Sequence, residues 1–141
     1  MKAVAFAVLL LVPGMTLAAG LTTTEETRQA CAVAAEKFAS KEIDAAFDGL
    51  SAHWPLPKEE ITALAYKTKS QLDMVAQRFG AVIVAEHLDS DAIGTSLIKH
   101  LYLIKFEKHA VRFACLFYKP HDEWKVNSLT WDDSISALFG G

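Results

Sequence analysis

Two side chains able to move protons, His100 and Tyr102, stand two positions apart in SLIKHLYLIKFE, where Ile98, Ile104 and Phe106 occupy alternate positions. Residues two apart share one face of a strand. Both are therefore predicted on an apolar strand face. A histidine in such surroundings has a burial-sensitive pKa, which suits acid–base chemistry or ligand recognition. It suits equally a core histidine whose nitrogens are both hydrogen-bonded. No Asp or Glu shares that strand face, so the acid-plus-orienting-group geometry of general acid–base catalysis has no second member there, and no catalytic residue is assigned.

Other reactive types have plainer readings. Asp132 and Asp133 precede SISALF, and an Asp before a short apolar helical turn is an N-cap. His121, Asp122 and Glu123 lie in a Lys-Pro turn, where three consecutive ligand types on a hairpin loop make a poor metal site. Adjacent Glu86 and His87 point to opposite faces of a strand and share no role. Glycine-rich phosphate loops, HExxH, GxSxG, CxxC and paired-cysteine zinc spacings do not occur. Neither cofactor nor metal is expected.

The elements that position these residues read in order. Thr22 to Thr24 before Glu25 and Glu26 form a capping-box pattern, followed by Cys31, Ala34, Ala35 and Phe38 at helical spacing. Ser40 is placed to cap a second helix with the stripe Ile43, Ala46, Phe47 and Leu50, which Trp54-Pro55-Leu56-Pro57 ends. Pro57 suits the first turn of a third helix whose stripe runs Ile61, Leu64, Ala65, Leu72, Val75, Ala76 and Phe79, with Gly80 as its stop.

After Gly80 the period changes. AVIVAEHL, SLIKHLYLIKFE, HAVRFACLFY and EWKVNSLTW are four strand candidates joined by short links, the first link spanning Asp89 to Thr95. They predict an α+β domain of three N-terminal helices packed on a four-stranded antiparallel meander sheet. In the third strand Val111, Phe113, Cys115 and Phe117 form the core face. In the fourth, Leu129 and Trp131 are out of phase with Trp124 and Val126. A bulge near Asn127-Ser128 would return all four to one face and bend the sheet.

Three helices followed by a bent sheet, closing with FYKPHDEW, KVNSLTWDD and a terminal ALF, resemble small exported members of the nuclear-transport-factor-two-like superfamily, the cystatin-like cone folds. The resemblance spans nearly all of the mature chain. It implies a pocket between helices and concave sheet, with His100 and Tyr102 facing it and Trp54 and Trp131 as walls, open to a small apolar ligand. The superfamily hosts isomerases, dehydratases, ligand binders and secretion subunits, so the fold leaves function open. The expected function is an exported, non-catalytic ligand-binding or protein-interaction domain. The alternatives are a small cofactor-free isomerase or dehydratase, and a subunit of a cell-envelope assembly.

The N-terminus bears on location. One Lys precedes an apolar run from Ala3 to Val12, then Pro13-Gly14 and small residues at Ala18 to Gly20. This is a signal-peptide pattern over residues 1–19, with a run about half the roughly 20 residues a spanning helix needs. The protein is expected to be periplasmic or secreted, with residues 20–141 as one domain and no membrane insertion after cleavage. A net charge of −3 with both signs interspersed disfavours nucleic acid as a partner. Two cysteines in an oxidising compartment, Cys31 and Cys115, each on a core-facing set, are expected to pair, the other reading being two small buried hydrophobes. Leu97, Leu101, Leu103, Leu116 and Tyr118 load the outer sheet face, the face through which the superfamily commonly dimerises, so a homodimer is expected.

Overall fold

A computed structural model describes residues 20–140; the expected leader, residues 1–19, and Gly141 lie outside the described residues. Three helices come first, α1 (Thr24–Ala39), α2 (Ile43–Ser51) and α3 (Lys58–Phe79). Four strands follow, β1 (Val82–Ile93), β2 (Leu97–Phe106), β3 (Ala110–Tyr118) and β4 (Lys125–Asp132), then a 3-10 helix at Ile135–Phe139. The strands form one antiparallel sheet in the order β1-β2-β3-β4. This is the expected α+β layout, helices first and meander second.

Local chemistry accounts for most boundaries. The Thr23 hydroxyl accepts the Glu26 N–H at 3.1 Å while the Glu26 carboxylate accepts the Thr23 N–H at 3.4 Å, closing a capping box at the start of α1. Ser40 does not open α2. Its N–H continues the α1 ladder to the Glu36 carbonyl at 2.9 Å, Lys41 then reverses the chain at φ 62°, and α2 begins at Ile43. Gly80, at φ 81°, ends α3 in the left-handed region that favours glycine. Neither Asp132 nor Asp133 caps the 3-10 turn, whose N-cap is Ser134 without a side-chain cap bond; the Asp132 carboxylate accepts the Ser134 N–H at 2.9 Å and two hydrogen bonds from Arg112.

Strand register explains the core. Ser128 pairs with Leu116 and Val126 with Phe117, leaving Asn127 as the extra residue of a bulge, where the phase change of β4 places it. β1 departs from the expected span. It continues through Asp89–Ile93, which pairs with Leu97–Leu101, so the segment anticipated as a link is strand and the turn shrinks to Gly94–Ser96. Two register shifts, at Ile83 and Leu88, interrupt it. The polar run DSDA hides the extension, because an edge strand is one-sidedly paired and tolerates solvated side chains.

The helices cover one sheet face. Phe38 of α1 packs at 5.1 Å from Phe113 and 5.6 Å from Trp131, ring centre to ring centre. Around it Ile104, Val111, Phe113, Cys115 and Phe117 are fully buried. Cys31 and Cys115 form a disulfide with their Cα atoms 5.9 Å apart and 84 positions apart in sequence. Closing a loop of that length removes about 4 to 5 kcal/mol of chain entropy from the unfolded state. Replacing both cysteines by alanine is expected to lower unfolding free energy by about 4 kcal/mol in urea titrations, and the wild-type chain should show no alkylatable thiol until reduced.

Candidate functional site

The polar interior is concentrated at one corner, where the N-terminal half of α1 meets β1 and β2. His100 of β2 is 1% exposed and uses both ring nitrogens. Nε2 lies 2.9 Å from the Thr27 hydroxyl of α1, and Nδ1 lies 2.7 Å from the Ser90 hydroxyl of β1. Ser90 Oγ also lies 2.8 Å from His87 Nε2. The line therefore runs His87, Ser90, His100, Thr27 and ends on the Thr24 carbonyl, 2.6 Å from the Thr27 hydroxyl.

The bulge at Leu88 makes this line possible. His87 pairs with Tyr102 and Ser90 with His100, so both stand on the helix-facing side although they are three positions apart. In a regular strand that separation would put them on opposite faces. Glu86 pairs with Leu103 and faces outward, opposite His87.

The direction of the hydrogen bonds follows from the end of the line. A carbonyl only accepts, so the Thr27 proton goes to Thr24, and Thr27 must receive a proton from His100 Nε2. A neutral imidazole carries one N–H, which leaves a lone pair on Nδ1 for the Ser90 hydroxyl proton. Ser90 Oγ then accepts from His87 Nε2. Burial is the main reason that the His100 pKa is lowered to about 4, with His87 and Arg28 pushing the same way and Glu25 opposing. His100 is thus neutral at neutral pH, as this assignment requires. Burial raises the Tyr102 hydroxyl above its ordinary value, with Arg28 acting against it.

Of the other aromatic candidates, Tyr102 joins this corner and the two tryptophans are anchored elsewhere. Tyr102 is buried beside His100 on the same strand face and meets the His87 ring edge-on at 5.2 Å. Trp54 is buried and stacks on Phe47 of α2 at 6.2 Å. Trp131 is half-buried, packs on Phe38 and donates to Thr68 of α3 at 3.4 Å. His100 and Tyr102 form one cluster, then, and the two tryptophans belong to two further packing groups. Trp131 borders clefts of about 320 and 340 Å³, neither lined by His100, Tyr102 or Trp54. No three His, Cys, Asp or Glu side chains gather at metal-binding spacing among the described residues.

Compared with known proteins, the chain matches no family model, no curated protein and no solved structure. Nothing in the sequence marks Thr27 or Ser90. Thr27 reads as one more polar residue of the first helical turn, and Ser90 as part of a loop. The bulge, invisible in a polar stretch without phase, brings Ser90 to His100, and the packing of α1 brings Thr27 there.

The depressed pKa has a definite consequence for stability. In the unfolded chain an unperturbed histidine binds a proton below about pH 6.5, whereas folded His100 resists one until about 4. Between those values the unfolded state holds more protons, so stability contributed by neutral His100 is present above about 6.5 and is lost as pH falls towards 4. Urea unfolding should show a loss of about 3 kcal/mol across that window, and His100→Gln should flatten it. Thr27→Val, leaving a buried N–H unpaired, should cost about 1 to 3 kcal/mol.

Proposed function

We propose that the protein is an exported binding or interaction domain, periplasmic or secreted, which docks a second copy of itself through the outer face of its sheet. A row of exposed apolar side chains carries this reading. Ile93, Leu97 and Tyr118 are direct cross-strand partners on β1, β2 and β3, and they are 70%, 37% and 44% exposed. Leu116 and Leu101 lie half-buried beside that row on the same face. Such a stripe suits an isologous contact, in which the same patch of each subunit faces its counterpart.

Export is supported by the leader-like sequence of residues 1–19 and by the disulfide. Three helices ahead of a four-stranded meander are the layout on which the resemblance to the nuclear-transport-factor-two-like superfamily rests. An isomerase or dehydratase built on His100 and Tyr102 draws less support, because the His100 ring nitrogens bond to Thr27 and Ser90 and not to Tyr102.

Light scattering of the mature protein at about 100 micromolar, above the dissociation constant of a standard-sized interface, should give the mass of a dimer. Leu97→Glu with Tyr118→Glu should return a monomer while changing unfolding free energy by less than about 1 kcal/mol, as exposed positions do. A monomeric wild type would leave the stripe to a different partner, as in an envelope assembly, and would end the homodimer reading.

A further inference from the structure

Ser90 is the one hydroxyl of the polar line that stands at an exposed position, on the edge strand, and its proton is directed at a histidine lone pair. A serine hydroxyl is a weak nucleophile until a base lies within hydrogen-bond reach and a third group fixes the base. All three parts are present. Ser90 Oγ is 2.7 Å from His100 Nδ1, and Thr27, 2.9 Å from Nε2, fixes the ring in the tautomer whose lone pair faces the serine. His87 Nε2, at 2.8 Å, occupies one lone pair of Ser90 Oγ and leaves the other unspent.

We propose that Ser90 is an activated nucleophile, with His100 as its general base, that accepts acyl groups from small activated esters. Oγ attacks the carbonyl carbon as its proton passes to Nδ1. The bond from that carbon to the leaving oxygen breaks, and the departing alcohol or phenol takes the proton from Nδ1. The acyl group is left as an ester on Ser90. Water, giving a proton to the same Nδ1, then attacks the acyl carbon; the bond from that carbon to Ser90 Oγ breaks, Oγ takes the proton back from Nδ1, and carboxylic acid is released. Thr27 is a positioning residue, acting only through His100.

The pH dependence of this chemistry is unlike that of an ordinary histidine base. The charged and titratable groups around His100 are His87 from β1 and Arg28 and Glu25 from α1, while β3 presents Phe117 and the disulfide-bonded Cys115. With protonation held to about 4, the lone pair is available throughout the neutral range. The rate should therefore be level from about pH 5.5 to 8 instead of rising around 6.5.

The mature protein, treated with an alkyl fluorophosphonate, should carry the adduct on Ser90 when its peptides are mapped by mass spectrometry. With p-nitrophenyl acetate it should release a burst of p-nitrophenol. Ser90→Ala should lose both. Thr27→Val should slow the burst at least about tenfold, a part of the roughly 10²- to 10⁴-fold that a positioned base supplies, while Thr27→Ser, which keeps the hydroxyl, should restore it; far-ultraviolet circular dichroism confirms that each variant is folded. An adduct absent from Ser90 or spread evenly over other serines, a burst that survives Ser90→Ala, or equal rates for the Ser and Val variants of Thr27 would overturn the proposal. None of these outcomes depends on whether the protein dimerises.

Discussion

Alanines at positions 34 and 35 and the small Cys31 let α1 approach the sheet until Cys31 and Cys115 lie 5.9 Å apart at Cα. A large side chain at any of these positions would hold the helix off, since a packed interior has no spare volume to yield. The same approach sets the polar corner. Thr27 lies one turn before Cys31 on the same face of α1, and Cys115 is the cross-strand partner of His100. The covalent bond and the Thr27–His100 hydrogen bond are thus neighbouring links between one helix and two adjacent strands. Phe38, two turns further on, fills the space between Phe113 and Trp131.

A buried imidazole is costly unless both nitrogens are occupied. The fold meets this demand from two separate elements, α1 and β1, with no buried side-chain nitrogen or oxygen left unpaired among the described residues. One end of the line is a helix hydroxyl tied to its own backbone, and the other is an edge strand whose bulge re-aims two side chains. Such a network specifies geometry more tightly than apolar packing does, because each member fixes the donor or acceptor role of the next.

What the sequence makes legible follows from periodicity. The alternation of Ile98, His100, Tyr102, Ile104 and Phe106 placed β2 correctly, and the broken phase of Leu129 and Trp131 located the Asn127 bulge because apolar residues stand on both sides of it. The bulge at Leu88 has no such markers. Beyond it come Asp89, Ser90 and Asp91, polar on both faces, so neither the length of β1 nor the facing of Ser90 can be read from pattern. Thr27 escapes for a different reason: its partner lies 73 positions away, and only the seating of α1 brings the two together. The two cysteines were legible because each sits in an apolar set with one obvious inward face.

The disulfide also decides how the molecule would bear tension. A force applied to its two ends runs along the chain to Cys31, crosses the sulfurs to Cys115 and leaves by β4, bypassing everything between. α2, α3, β1 and β2 lie wholly inside that covalent loop and carry no load. Only the first turns of α1, the end of β3, β4 and the 3-10 helix can be drawn out, so the oxidised protein has a short extensible rim around a mechanically silent body.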